Sequence, residues 1–312
     1  MKTIELSEPF DPQIIPAGKV VLATGFFDGV HCGHQQVIKT AARQAKKMSC
    51  KLAVMTLDRH PMIVFQHVPT KQIHYLTTLK HKLKLFQQLG ADYVYVIKLA
   101  GTLPQMPPQE FVDKYMVGLH AAAVVAGEDY TYGKHTIANM QTLPEFARNR
   151  FQVITVKHVL FGQKKISSTM IRRLLDTGQI DLANQLLGYH YQNTGIIVHG
   201  KQLGRQLGFP TLNLKINSQE RILGEGIYAT KVRLSGKEYL GMASIGRNET
   251  FGANQQLTVE INLLNFSKMV YGQQVVVNWY HYLRGQVKFA NAQALIEQLK
   301  KDQRQTLNYF QK

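Results

Sequence analysis

Acidic residues are scarce in this 312-residue chain: 20 Asp and Glu stand against 37 Lys and Arg, a formal net charge of +17 at pH 7. That balance suits acidic ligands such as nucleotides, and equally nucleic acid or an anionic membrane. No five or six basic residues stand together, so the charge reads as a general field and not as a nucleic-acid arm. Cysteine is nearly absent, and Cys32 and Cys50 make no disulfide framework. Long apolar runs are missing, which excludes a bilayer-spanning helix. The opening residues MKTIELSEPF carry no signal-peptide pattern. The expectation is a cytoplasmic protein with no membrane and no nucleic-acid partner. Repeats and low-complexity tracts are also lacking. What remains is ordinary globular sequence, 45% hydrophobic, long enough for two domains and two cores.

The first half alternates two patterns. Strand-like runs at residues 20–24, 51–57, 92–97, 122–126 and 152–156 are separated by helical spacing at 34–48, 78–89 and 109–119. Alternation of this kind predicts an α/β domain with a parallel, Rossmann-like sheet covered on both faces. A helical segment at 180–187 closes the region, and Gly188 ends it. Beyond about Tyr189, strand-like runs at 192–199, 227–234, 238–245, 257–264 and 274–282 follow one another with Gly, Asn and Ser turns between them. That predicts an antiparallel β-barrel. A last helical pattern spans 290–301, with Ala292, Leu295, Ile296 and Leu299 on one face. The expected domains are therefore 1–188 and 189–312.

Residues 25–34 read GFFDGVHCGH, between a strand and a helix. Ligands bind α/β sheets at such crossovers, and a helix N-terminus there offers free N–H groups and a positive dipole end to a phosphate. His31 and His34 can add hydrogen bonds and, when protonated, charge. Gly25, Gly29 and Gly33 let the backbone approach closely. An isolated H-x-G-H is as often an ordinary turn; the strand before it and the helix after it favour a site. Asp28 either orients the turn through an Asx-type hydrogen bond or positions a substrate or metal. Residues 166–175 read ISSTMIRRLL: Ser167, Ser168 and Thr169 are natural N-caps, and Arg172 lies one turn inside.

The string GFFDGVHCGH resembles the signature of the nucleotidylyltransferase superfamily. With ISSTMIRRLL, and with GRQLGFPTLNL at 204–214, the chain is similar over nearly its whole length to the bifunctional riboflavin kinase/FAD synthetase family of bacteria. The resemblance implies two reactions. Riboflavin is phosphorylated by ATP to FMN, and FMN is adenylylated by ATP to FAD with release of pyrophosphate. It implies that His31, His34 and Arg172 act on the phosphates, and that Gly25, Phe26, Asp28, Gly33, Ser168 and Thr169 hold the nucleotide. His60 in TLDRHP, and Asp129, Tyr130 and Tyr132 in GEDYTYGK, are implied around the flavin. Residue by residue, the alternatives are a capped turn at His60 and an aromatic turn packed under the sheet.

For the kinase, Gly200, Gly204 and Gly208 punctuate a loop suited to phosphate, without the Walker pattern. The resemblance makes Thr211 and Asn213 ligands of Mg²⁺ with ATP, Glu260 the base for the ribityl 5′-hydroxyl, and Arg284 a flavin contact. On its strand Glu260 shares a face with Asn262, opposite Val259, Ile261 and Leu263; an acid so placed is otherwise just solvated. Three segments depart from the family: IGRNETFG at 245–252 lacks its proline, NFSKMVYG at 265–272 its acidic pair, and LRGQVKF at 283–289 has Gln286 for an acid. They give a rival reading, an FAD synthetase with a weakened or lost kinase. A rival of another class is a flavin-dependent RNA-binding regulator.

Overall fold

Every residue of Val20–Thr24 (β2) is buried, as a strand covered on both faces requires. Lys51–Leu57 (β3) and Ala121–Gly127 (β5) flank it, both parallel to it. Tyr93–Ile97 (β4), Lys2–Leu6 (β1) and Gln152–Val156 (β6) complete a six-stranded parallel sheet in the order β1-β4-β3-β2-β5-β6. Since β3 and β5 lie on opposite sides of β2, the strand order reverses there. Ligands bind such sheets at that point, outside the carboxyl ends of the strands.

The molecule is described by a computed structural model covering residues 1–200, 204, 207–247 and 257–311. It forms two compact units, Met1–Ser168 and Thr169–Lys312. In the first, Cys32–Lys47 (α1) follows β2 and buries Val37, Ile38, Ala41 and Ala45, a stripe at helical spacing. Short Pro61–Phe65 (α2) precedes Leu79–Gln88 (α3), which buries Lys82, Leu85 and Phe86. The helix expected at 109–119 is shorter: Pro108–Val112 (α4) widens into a looser turn over Asp113–Val117, where Gly118 N donates to Asp113 O at 2.8 Å. Leu143–Ala147 (α5) precedes β6. A hairpin, Leu160–Phe161 (β7) and Lys164–Lys165 (β8), leads to Ser168.

The second unit is built on a closed antiparallel barrel in the order β10-β13-β12-β11-β14-β9. Its strands are Gln192–Val198 (β9), Thr211–Ile216 (β10), Gly226–Leu234 (β11), Lys237–Arg247 (β12), Leu257–Leu263 (β13) and Gln274–Arg284 (β14). Trp279, Tyr228, Val277 and Ile261 are among its fully buried residues. Ser168–Asp176 (α6) and Ile180–Leu187 (α7) lead into it. Asn184 Nδ2 donates to Trp279 O at 2.8 Å, and Asn184 Oδ1 accepts from Tyr191 N at 2.7 Å. The last helix, Ala292–Gln311 (α8), runs ten residues past the end its apolar spacing suggests. The extra turns bury Asp302 and Thr306, polar residues that an apolar pattern passes over. Asp302 accepts from Arg284 Nε at 3.0 Å and Nη2 at 2.7 Å.

Candidate active sites

Between β2 and α1 the backbone turns sharply. Phe27, Gly29 and Val30 have positive φ of 56°, 83° and 37°. A β-branched residue there is strained, by on the order of 1–3 kcal/mol, and persists because its surroundings fix the turn. The buried Asp28 carboxylate accepts from Leu76 N at 3.0 Å and Thr77 N at 3.1 Å. Thr77 Oγ1 accepts from Gly29 N at 2.9 Å, and Ser168 Oγ donates to Asp28 O at 2.8 Å. Gln35 Nε2 donates to Val30 O at 3.0 Å. Lys82 Nζ and Thr56 Oγ1 both donate to Phe26 O at 2.9 Å. These Asp28 bonds tie the turn to a loop 48 residues away.

This clamped turn delivers the two histidines together. His31 caps α1, its Nδ1 accepting from His34 N at 3.3 Å. The two rings stack with centroids 3.6 Å apart and planes 20° from parallel. A Cβ on Gly33 would press on the His31 ring at 3.1 Å, and Phe27 packs edge-on against His34 at 5.3 Å. Because His31 Nδ1 is an acceptor, its proton sits on Nε2. Burial lowers the His31 pKa to about 4, with Lys165 adding and Asp129 opposing. Burial, then His31, holds His34 well below the ordinary value. His34 Nδ1 is enclosed and has no hydrogen-bond partner among the described residues, so an imidazolium there would bury an unpaired N–H. At neutral pH both rings are neutral donors, not the charges that protonated imidazoles would supply.

The other expected residues of this unit fall into two groups. Asp129 forms an ion pair with Lys165 of β8 at 2.5 Å. Tyr130 Oη accepts from Thr24 Oγ1 at 2.9 Å, at the end of β2. Tyr132 lies deeper, in the core with Phe111 and Phe146, and stacks on Tyr130 at 6.2 Å. His60 caps α2, its Nδ1 accepting from Met62 N at 3.2 Å, with its ring edge-on to Phe26 at 4.9 Å. Gly25 is crowded by the Phe27 ring. Ser168 ends this unit and opens α6; Thr169 and Arg172 follow on that helix, in the second unit.

In the barrel, strand pairing assembles the second set. Asn213 is directly opposite Glu260, and Thr211 opposite Asn262. Thr211 Oγ1 donates to Glu260 Oε2 at 3.3 Å. Val259, Ile261 and Leu263 are buried, so Glu260 lies on the other face of β13. Asn262 Nδ2 donates to Pro210 O at 2.8 Å, which fixes the start of β10. A Cβ on Gly200 would overlap the Asn213 amide, and one on Gly204 the Phe209 carbonyl. Gly208 has φ of 80°. The intervening residues 201–203, 205 and 206 lie outside the described residues, as do 248–252 of the departing segment at 245–252. Gln286 Nε2 donates to Ser244 Oγ at 3.0 Å and Ile245 O at 2.9 Å. Arg284 is engaged by Asp302, as described above. Among the described residues no cluster of three or more His, Cys, Asp or Glu could hold a metal; Thr211, Asn213 and Glu260 instead offer mixed neutral and anionic oxygens.

Three residues at the histidine turn escape a reading by motif: Thr56, Thr77 and Lys82. Only Lys82 leaves a trace in sequence, a lysine three residues after Leu79 and three before Leu85, on the apolar face of α3.

The FAD synthetase family matches residues 15–170, and the riboflavin kinase family residues 187–310. A bifunctional riboflavin kinase/FMN adenylyltransferase of Listeria monocytogenes is 43% identical, covering 100% of this chain and 99% of its own. One of Bacillus subtilis is 37% identical over 99% of this chain and 98% of its own. A crystal structure from Streptococcus pneumoniae, described as a macrolide-efflux protein, superposes with a TM-score of 0.89 at 29% identity, covering 99% of each chain. Among the described residues of this chain, no helix is long and apolar enough to cross a membrane. Both halves of the chain thus match, in order, the two halves of one enzyme family, and the chain belongs to the bifunctional riboflavin kinase/FMN adenylyltransferases.

Proposed function

We propose that the two units divide the family's two reactions between them, on small-molecule substrates in the cytoplasm and without nucleic acid. The chain is a bifunctional transferase with ATP as co-substrate and FMN and FAD as products. In the first unit an FMN phosphate oxygen attacks the α-phosphorus of ATP. The bond to the bridging oxygen breaks and pyrophosphate leaves, so no protein nucleophile is needed. Catalysis then consists of positioning and of donors aimed at growing negative charge. The Nε2–H groups of His31 and His34 supply such donors beside the N-terminus of α1. Ser168, the last residue of that unit, receives the β- and γ-phosphates; Thr169 and Arg172 follow it on the same helix, an arginine being a residue that suits a leaving pyrophosphate. Gly25, Phe26 and Gly33 shape the nucleotide side of the turn, and Asp28 acts as its strut. Asp129, Tyr130 and His60 face the flavin, with Tyr132 supporting Tyr130 from the core.

In the second unit the Glu260 carboxylate takes the proton of the ribityl 5′-hydroxyl as its oxygen attacks the γ-phosphorus of ATP and ADP leaves. Thr211 and Asn213 are oxygen ligands of the kind Mg²⁺ accepts when phosphates and water complete its shell. Bound there, Mg²⁺ would neutralise phosphate charge during the transfer. Gly200, Gly204 and Gly208 keep the loop before β10 close to the phosphates, and Arg284 braces α8 beside the flavin. The observation that carries this reading is convergence. Residues 49 apart in sequence meet at Thr211 and Glu260, while the stacked histidines meet on the clamped turn of the other unit. The test is incubation of the purified chain with riboflavin, ATP and Mg²⁺, with FMN and FAD resolved by chromatography. FMN followed by FAD is expected. No FMN, or FMN that never becomes FAD, would overturn it.

A further inference from the structure

Lys82 is 2% exposed. Its Nζ donates to Phe26 O at 2.9 Å and to Thr56 Oγ1 at 3.3 Å, and stands 4.2 Å from the Phe26 ring centroid. Thr56 Oγ1 donates to the same Phe26 carbonyl, which closes a triangle beneath the turn. The acceptors are neutral; Asp28 and Asp58 act on Lys82 only through their fields. Burying a charge against neutral oxygens is costly, and methionine would fill the same place on α3 without that cost. The charge therefore answers to something more than packing. Phe26 adjoins Phe27, whose ring packs on His34, so the triangle is connected to the histidine pair through a single residue. Lys82 is also one of the groups that keep His34 neutral.

We propose that Lys82 is a positioning residue for adenylyl transfer: its ammonium holds the carbonyl from which the histidine-bearing turn hangs. This rests on the reading that the first unit transfers the adenylyl group. Several groups surround Lys82. Asp28 lies in the turn, Asp58 lies beyond β3, His34 stands on α1, and His60 and Tyr75 pack on the Phe26 ring. Burial lowers the Lys82 pKa to about 8, against the fields of the two carboxylates. The charge is thus present at neutral pH and lost as pH rises through about 8.

The test uses the full chain, with Lys82→Met and Lys82→Arg, and follows FMN adenylylation from pH 6.5 to 9.5. Riboflavin phosphorylation in the same samples is the internal control. In the unmodified chain kcat/KM, which reports groups of the free enzyme, should fall as pH rises through about 8. Lys82→Arg, whose guanidinium stays charged, should keep activity and lose that alkaline limb. Lys82→Met should lower kcat by about 10- to 100-fold, with less change in KM for ATP and the kinase unaffected. A purely structural lysine would instead lower the melting temperature and leave the pH profile of Lys82→Arg unchanged. An unmodified chain without an alkaline limb below pH 9, or Lys82→Met with normal kcat, would overturn the proposal, and the first of these needs no variant to fold. If the unmodified chain makes FMN but no FAD, the reading of the first unit fails, and the Lys82 proposal with it.

Discussion

Replacing Asp28 separates a strut from a ligand. Its Oδ1 accepts both the Leu76 and the Thr77 amide. Bonds to a charged group contribute about 1.5–3 kcal/mol each, and removing the acceptor leaves two buried N–H groups unpaired. Asp28→Ala should therefore destabilise the first unit by about 3–5 kcal/mol. Asp28→Asn keeps an oxygen for both amides and loses only the charge assistance, about 1–2 kcal/mol. Trp279, the single tryptophan, is buried in the second unit, so its fluorescence follows that unit while far-UV circular dichroism follows both. With a urea slope of about 2 kcal/mol/M, Asp28→Ala should move the first unit's midpoint by roughly 1.5–2.5 M and leave the tryptophan transition in place. Asp28→Asn should move it by less than about 1 M and retain most FAD formation. An unmoved midpoint in Asp28→Ala would refute the strut. So would an Asp28→Asn chain that is stable but no longer makes FAD, since the carboxylate would then be touching a substrate or metal.

Acid should loosen the first unit before it reaches the carboxylates. His31 titrates near 4 when folded and near 6.5 when not, so the unfolded chain binds the extra proton in between. Stability is then full above pH 6.5 and falls as pH drops towards 4, by up to about 3 kcal/mol from His31 alone. Urea midpoints from pH 7.5 to 4.5 should show this slope, and His31→Gln should flatten it; an equal slope in both would count against the burial argument. The boundary between the units makes a separate prediction. A fragment of residues 169–312 keeps the Asn184 bonds to Trp279 O and Tyr191 N, whereas residues 189–312 lose both, at about 0.5–1.5 kcal/mol each. The longer fragment should melt higher, and equal melting would show that α6 and α7 do not brace the barrel.

Much of the fold is written in local pattern. Val20–Thr24, Lys51–Leu57 and Gln152–Val156 stand where their strand-like runs put them; the first is apolar because it is buried on both faces, while the last, at the sheet edge and partly exposed, is marked by its β-branched residues. β1 escaped because only Ile4 and Leu6 of its five residues are buried. β10 escaped because Thr211 and Asn213 read as the end of a glycine loop, although Leu212 and Leu214 alternate with them. The two histidines were legible as a motif, but their neutrality was not. It depends on burial and on Lys165, which only the folded chain brings near. Asp28 needed its partners at Leu76 and Thr77, and Lys82 needed Phe26, 56 residues away. Pairings at that separation leave no periodic trace, and a lysine on an apolar helix face looks like a misplaced surface residue until its acceptors are seen.

The central claim is that two independent sites work in series on one chain, and crossed variants test it in a single chromatographic assay. His31→Ala with His34→Ala should turn riboflavin and ATP into FMN that accumulates, with FAD formation down by about 10²-fold or more. Glu260→Gln should make almost no FMN from riboflavin, its turnover down by roughly 10²- to 10⁴-fold, yet convert supplied FMN to FAD at the unmodified rate. Loss of both activities in either variant, or FAD formation that survives the histidine substitutions, would contradict the account.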